Sequence, residues 1–276
     1  MEPHIIFLDW DGTLCIPQQP PSALTRKAID QARKKGHKVF LCTGRALSTL
    51  PDEVWELKWD GMITGIGAHV MIDGKTVREQ PYSLEEIQEL RDYFSSVGIV
   101  YLLEGTDGAF MNLSGYRALG VERMTGINRE VADLKAMVER GEIMDSSLYR
   151  GQPVFKVAFL SMDDERLAAI QSHLGNKYNI AMHPAAGKEF ITDLELIRRT
   201  VNKGETLKFV CDACRIPLKN SIAFGDSMND YDMIVNAGLG VVMDNGDDEI
   251  KSYADFICSS VEEDGLYHMF YKLNLL

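Results

Sequence analysis

Four short polar blocks carry the chemistry that this sequence offers. The first is Asp9-Trp10-Asp11-Gly12-Thr13-Leu14, directly after four apolar residues. Two carboxylates one residue apart repel each other and are costly to desolvate. A hard divalent cation such as Mg²⁺, bound through oxygens of one or two carboxylates, relieves that cost. Gly12 permits a sharp turn after the apolar run. Alone, the block also reads as an ordinary Asp-Gly turn. The second block, Thr43-Gly44-Arg45, offers a hydroxyl, a flexible backbone N–H and a guanidinium. All three suit phosphate oxygens, although the tripeptide alone reads equally as a turn into a helix. The third is Lys203 in Asn202-Lys203-Gly204, at the head of a helical stretch. An ammonium beside free helix N–H groups is a natural anion site, whereas an isolated lysine is ordinarily solvated. The fourth is Gly225-Asp226-Ser227-Met228-Asn229-Asp230. Alone it reads as a loop with helix-capping acids. Together the blocks supply a nucleophile, a metal site, phosphate-binding groups and an acid/base. That is the set a carboxylate needs to transfer a phosphoryl group.

These residues must be brought together by the elements before them. Ile5–Leu8, Val39–Cys42, Ile222–Phe224 and Leu239–Val242 are near-continuous apolar runs, the pattern of parallel strands covered on both faces. Between the first two, Leu24, Ala28, Ile29 and Ala32 recur at helical spacing. Ser22 or Thr25 suits the helix start and Gly36 its end. Strand, helix, strand implies a right-handed crossover in a parallel sheet. In such sheets ligands bind beyond the carboxyl ends of the strands, where three of the blocks fall. From about Tyr82 to Asp193 the order is more mixed, with a helix expected over Leu84–Val97 and strands over Phe155–Leu160 and Asn179–Met182. The expected fold class is α/β: a doubly wound, Rossmann-like parallel-sheet core over 1–81 and 194–276. An α+β cap domain is expected over 82–193, with linkers near Pro81 and Asp193 that let it close over substrate.

Composition narrows the function classes. The chain has 276 residues, 45% hydrophobic and 25% charged, as in ordinary globular proteins. Its formal net charge of -12 disfavours nucleic acid and anionic lipid as partners. An anionic ester must then be drawn in by a metal and a few placed cations. Five dispersed cysteines suit a reducing compartment, and no apolar run reaches the roughly 20 residues of a membrane span. A cytoplasmic enzyme acting on a small phosphorylated metabolite is the expectation, with oligomeric state unreadable.

Taken in order, the four blocks resemble the motifs of the haloacid dehalogenase superfamily, in particular Cof-type phosphatases with a class IIB cap. The likeness continues through Ala237-Gly238-Leu239-Gly240-Val241 and Glu263-Asp264-Gly265. The resemblance implies that Asp9 is the nucleophile and forms an aspartyl-phosphate. It implies that Asp11 protonates the leaving alcohol and then deprotonates water. Mg²⁺ would be held by the Asp9 side chain, the Asp11 carbonyl and Asp226, with Asp230 just outside. Thr43, Gly44, Arg45, Lys203 and Asn229 would bind phosphate or substrate. Two departures stand out: Ile66-Gly67-Ala68 where similar proteins often have Asn-Gly-Ala, and Trp10 in place of a smaller aliphatic residue. The long insertion between Arg45 and Lys203 matches the later-cap class. That layout also fits a phosphomutase of the phosphomannomutase type, which is one alternative. A non-catalytic metabolite-binding regulator is another.

Several residues invite more than they carry. Cys211 and Cys214 form a C-x-x-C, but no second pair completes a zinc site, and two packed thiols on a helix face are expected. Glu104, Tyr116, Tyr149, His183 and Lys188 fall in the inserted region and are expected to be structural or surface residues.

Overall fold

A computed structural model describes residues 2–16, 19–124, 129–161, 164–183 and 192–276. Lys188 lies outside them. The chain forms two compact units, one of residues 1–45, 50–79 and 201–276, the other of 46–49 and 80–200.

The first unit begins with β1 (Ile5–Leu8), helix α1 (Ala23–Lys34) and β2 (Lys38–Cys42). Strands β3 (Gly61–Thr64), β4 (His69–Ile72) and β5 (Lys75–Glu79) follow. Helix α1 starts where Ser22 accepts a hydrogen bond from the Thr25 N–H, and it buries Thr25, Ala28, Ile29 and Ala32. The spacing of the apolar residues thus becomes one packed stripe.

In the second unit helix α2 (Leu84–Ser96) opens on a Ser83–Glu86 capping box, which satisfies two otherwise orphaned N–H groups. Strands β6 (Val100–Gly105) and β7 (Ala109–Met111) lead to helices α3 (Leu113–Leu119) and α4 (Arg129–Glu139). Strands β8 (Ile143–Asp145) and β9 (Val154–Ser161), helix α5 (Asp164–Leu174), and strands β10 (Tyr178–His183) and β11 (Thr192–Arg198) complete it. Its six-stranded sheet has the order β10-β11-β9-β6-β7-β8. Tyr101, Leu103, Val157 and Phe159 pack on one face with α2 and α5. Val100, Leu102, Ala158 and Leu160 pack on the other with Tyr116 and Leu134 of α3 and α4. Period-two alternation on β6 and β9 therefore feeds two cores.

The chain returns to the first unit through helix α6 (Lys203–Cys214), strand β12 (Ser221–Gly225), helix α7 (Tyr231–Asn236) and strand β13 (Leu239–Met243). Helix α8 (Asp248–Lys251), strand β14 (Phe256–Cys258) and helix α9 (Gly265–Lys272) close it. The sheet runs β14-β13-β12-β1-β2-β3-β4-β5, with every pairing parallel except β3–β4 and β4–β5. Phe7, Phe40 and Val242 pack against Leu207, Val210 and Ile234 on the α6–α7 face. Phe224 meets Phe270 of α9 on the opposite face. Helices on both faces explain why β1, β2, β12 and β13 read as unbroken apolar runs. Among the described residues, no helix is long and apolar enough to cross a membrane.

Candidate active site

Strands β1, β2 and β12 are adjacent and parallel, so their carboxyl ends deliver the Asp9, Thr43 and Asp226 segments to one edge of the sheet. The Asp9 N–H donates to the Phe224 carbonyl at 3.0 Å, which continues the β1–β12 ladder up to the candidate nucleophile. After Asp11 the chain folds back, with Leu14 and Cys15 N–H groups donating to the Trp10 carbonyl. Trp10 itself is buried. Gly12 has φ +83, and a Cβ there would lie 2.3 Å from the Asp226 carboxylate. Only glycine meets both conditions, so Gly12 lets the two acidic segments close on each other.

Lys203 is 1% exposed and stands among acids. Its ammonium reaches Asp230 Oδ1 at 2.5 Å, Asp9 Oδ1 at 3.2 Å and Asn229 Oδ1 at 3.3 Å. Burial alone would strip its proton, but the Asp230 and Asp9 carboxylates outweigh that and hold its pKa above the ordinary value. Burial, and then the Asp230 carboxylate, push the Asp9 carboxyl well above its usual range, with Lys203 pulling it partly back. Helix α6 places this lysine because Asn202 caps its first turn through Glu205 N–H at 2.7 Å.

Among the described residues, Asp9, Asp226 and Asp230 each offer one carboxylate oxygen, all within 4.8 Å of one another. The three carboxylates, two of them buried, face the single ammonium of Lys203, which pairs with Asp9 and Asp230, so negative charge is in excess and the donors are all hard oxygens. Such a set fits a divalent cation of the Mg²⁺ type. Asp226 is fixed by the Thr13 hydroxyl, which donates to Oδ1 at 3.0 Å. Asp230 is engaged from its other side, Oδ2 accepting from the Asp226 N–H at 3.1 Å. With the Ser227 N–H, which also donates to Oδ2 at 3.4 Å, three donors orient the Asp230 carboxylate, Lys203 among them.

Thr43 is buried, and its hydroxyl accepts from the Arg45 N–H at 3.2 Å. Arg45, expected among phosphate-binding groups, points its guanidinium at Asp11, with Nε to Oδ2 at 2.7 Å and NH2 to Oδ1 at 3.1 Å. This two-pronged pair fixes the plane of the candidate acid/base. Gly44 lies under Ile66, whose Cγ1 would be 3.8 Å from a Cβ at that position. Thr13, inside the first block, supports the site through Asp226, and Asn245, whose Nδ2 donates to the Gly12 carbonyl at 2.8 Å, supports it without a motif of its own. The only signal for Asn245 was proximity in sequence to the end of β13.

In the second unit, Glu104 accepts from Thr49 Oγ1 at 2.7 Å and pairs with Lys156, which pairs with Glu195 at 2.5 Å. Tyr116 is buried in the α3–α4 core, and Tyr149 donates to the Gln152 carbonyl. His183 ends β10. Cys211 is buried in the first unit's core and Cys214 packs against it. Burial pushes the Cys211 thiol up to about 12, which removes it from thiolate chemistry at neutral pH.

Comparison with known proteins agrees with this geometry. The family model for haloacid dehalogenase-like hydrolases matches residues 6–270. Phosphatase YwpJ of Bacillus subtilis is 26% identical over 282 residues, covering 96% of this chain and 98% of that protein. The 5-amino-6-(5-phospho-D-ribitylamino)uracil phosphatase YitU of the same organism is 26% identical, covering 96% and 95%. The solved HAD subclass IIB sugar phosphatase BT4131 superposes with a TM-score of 0.75 at 19% identity, covering 99% of this chain and 100% of that one. The acidic edge of the parallel sheet, the inserted α+β unit and the family match therefore agree: the chain belongs to the haloacid dehalogenase-like hydrolases.

Proposed function

We propose that this hydrolase is a Mg²⁺-dependent phosphatase that cleaves small phosphorylated metabolites through an aspartyl-phosphate on Asp9. One observation carries the reading: Asp9 is buried, bonded to Lys203 and clustered with Asp226 and Asp230. Nothing in ordinary packing calls for three carboxylates and one ammonium at the end of an apolar sheet. The names of YwpJ and YitU, which call both phosphatases, support the class. Sugar phosphates and phosphorylated cofactors are the substrate types proposed, in keeping with the sugar and ribityl compounds in the relatives' names. Cytoplasmic residence, expected from the dispersed cysteines, goes with this reading.

Each group has a part in the chemistry. Lys203 and the Thr43 segment hold the phosphoryl oxygens and offset their charge as it shifts. A carboxylate oxygen of Asp9 forms a bond to phosphorus while the ester P–O bond breaks. Asp11 gives its proton to the departing alkoxide, so a neutral alcohol leaves. Asp11 then takes a proton from water, whose oxygen attacks phosphorus. The P–O bond to Asp9 breaks, releasing inorganic phosphate and restoring the Asp9 carboxylate and the protonated Asp11. Asp9 and Asp226, with the Asp11 carbonyl, would hold Mg²⁺, which when bound neutralises the clustered acids and polarises the phosphoryl oxygens.

Phosphate release from a panel of phosphorylated sugars, nucleotides and cofactors tests this. Turnover is expected to require Mg²⁺ and to fall by roughly 10³-fold or more in Asp9→Asn. Equal turnover by Asp9→Asn, or phosphoryl transfer between positions of one sugar without release, would replace this reading.

A further inference from the structure

Ile66 adopts φ 61 and ψ 23, the left-handed region, between Gly65 at φ 58 and Gly67 at φ 103. For a β-branched side chain this is a strained conformation that survives only where its surroundings impose it. Here they do so from two sides. The Gly65 N–H donates to the Arg45 carbonyl at 2.7 Å, and the Ile66 N–H to the Thr43 carbonyl at 3.4 Å. On the other side the Thr206 hydroxyl of α6 donates to the Gly67 carbonyl at 3.1 Å. A Cβ at Gly67 would press on Thr206 and the Asn202 carbonyl at under 3.0 Å, so the turn cannot back away from α6. The turn thus joins the loop that carries Thr43 and Arg45 to the helix that carries Lys203.

Asparagine or glycine takes this conformation at little cost. A branched aliphatic there must be explained by what the side chain does. It is only partly buried, so burial alone does not account for it. Its Cγ1 lies over Gly44, in the middle of the Thr43–Arg45 loop. The side chain therefore covers that loop with apolar surface where an amide would have offered hydrogen bonds.

We propose that Ile66 is a specificity-determining residue. It favours phosphate monoesters that present apolar carbon surface to the Thr43–Arg45 loop and disfavours those that present a hydroxyl there. The inference rests on the phosphatase reading above. A hydroxyl set against this side chain loses its water without gaining a partner. One unpartnered hydroxyl is worth on the order of tenfold or more in discrimination.

Two small esters of the same chain length provide the test: propyl phosphate and glycerol 1-phosphate, assayed with Ile66→Asn and Ile66→Val. The kcat/KM ratio of propyl to glycerol phosphate is expected to fall about tenfold in Ile66→Asn and to stay within about twofold in Ile66→Val. The thermal midpoint of the Asn variant is expected to rise by about 2 to 4 °C as the backbone strain is released. Intact turnover with an unchanged ratio in Ile66→Asn would overturn the inference and leave the phosphatase reading standing. An equal loss on both esters would assign Ile66 to loop support and overturn it too. A lowered midpoint in Ile66→Asn would remove the strain on which it stands. No turnover of any ester by wild type would sink the phosphatase reading, and this inference with it.

Discussion

The Asp11–Arg45 pair shows how a site residue acquires its role from a partner 34 positions away. In the proposed mechanism Asp11 gives up and takes back a proton, so its carboxylate has to be aimed. Arg45 aims it with two parallel bonds. Lysine is a point donor without the planar fork, so Arg45→Lys is not a conservative change here. We expect Arg45→Lys to lower kcat by roughly 10- to 100-fold, since small misplacements at a reacting group cost that much. KM is expected to change much less, which steady-state kinetics on any turned-over ester would read. A rise in KM with kcat unchanged would instead make Arg45 a substrate ligand. Lys203 differs in kind. It is fully enclosed between Asp9 and Asp230, so Lys203→Met leaves buried carboxylates without their cation. Breaking a buried pair in this way costs about 3–5 kcal/mol. Urea denaturation of the metal-free variant is expected to show a loss of that order. A loss below about 1 kcal/mol would mean that the acids simply take up protons.

At the scale of elements, the join between α1 and β2 carries a pH dependence. His37 begins the approach to β2, and its Nδ1 accepts from the His4 N–H at 3.0 Å, so that nitrogen must lack a proton. Burial, with His4 and Lys35 nearby, lowers its pKa to about 4. In the unfolded chain the same imidazole titrates near 6.5. Between those values the unfolded state binds more protons, so stability rises with pH. The contribution is complete above roughly pH 6.5 and is lost as pH falls toward 4, amounting to at most about 3 kcal/mol. His37→Gln is expected to flatten this part of the stability profile in urea melts taken from pH 4 to 7. An unchanged acid limb would exclude His37 as its source.

Elements also decide what the sequence discloses. Strands β1, β2, β12 and β13 were legible because burial on both faces makes them continuous apolar runs. Strand β5, Lys-Thr-Val-Arg-Glu, is largely exposed at the sheet edge and has no such signature. Strand β14 is only three residues, two of them exposed. The Ala46–Thr49 stretch belongs with the second unit through contacts such as Thr49 to Glu104, which no local pattern announces. Within the site, Asp9, Asp226 and Lys203 were legible from their places at strand ends and a helix start. The pairing of Arg45 with Asp11 was not, because it depends on side-chain direction across two strands. Nor was the left-handed Ile66, since a β-branched residue is among the least expected there.

The whole molecule stores negative charge, with a formal net charge of -12 and a cluster of three acids at the sheet edge, two of them buried. Burial of Asp9, with repulsion from Asp230 and Asp226 added to it, disfavours the charged carboxylate in the absence of a cation and raises its pKa. A cation that binds only the folded chain must therefore stabilise it. The gain is about 2.7 kcal/mol at a hundred times Kd, or roughly 5 to 10 °C in Tm for a chain of this size. Mg²⁺ titration followed by thermal unfolding, with EDTA as the reverse step, measures this without any substrate. Asp226→Asn separates the two halves of the argument because its effects have opposite signs. It retains an oxygen for the Thr13 hydroxyl but removes a charge facing Asp9. The metal-free variant is expected to be as stable as metal-free wild type or more so, while its Mg²⁺-dependent rise shrinks to a fraction of the wild-type value. A full rise in Asp226→Asn would place the cation elsewhere. A metal-free variant that melts well below wild type would show that Asp226 holds the fold together, not only the metal.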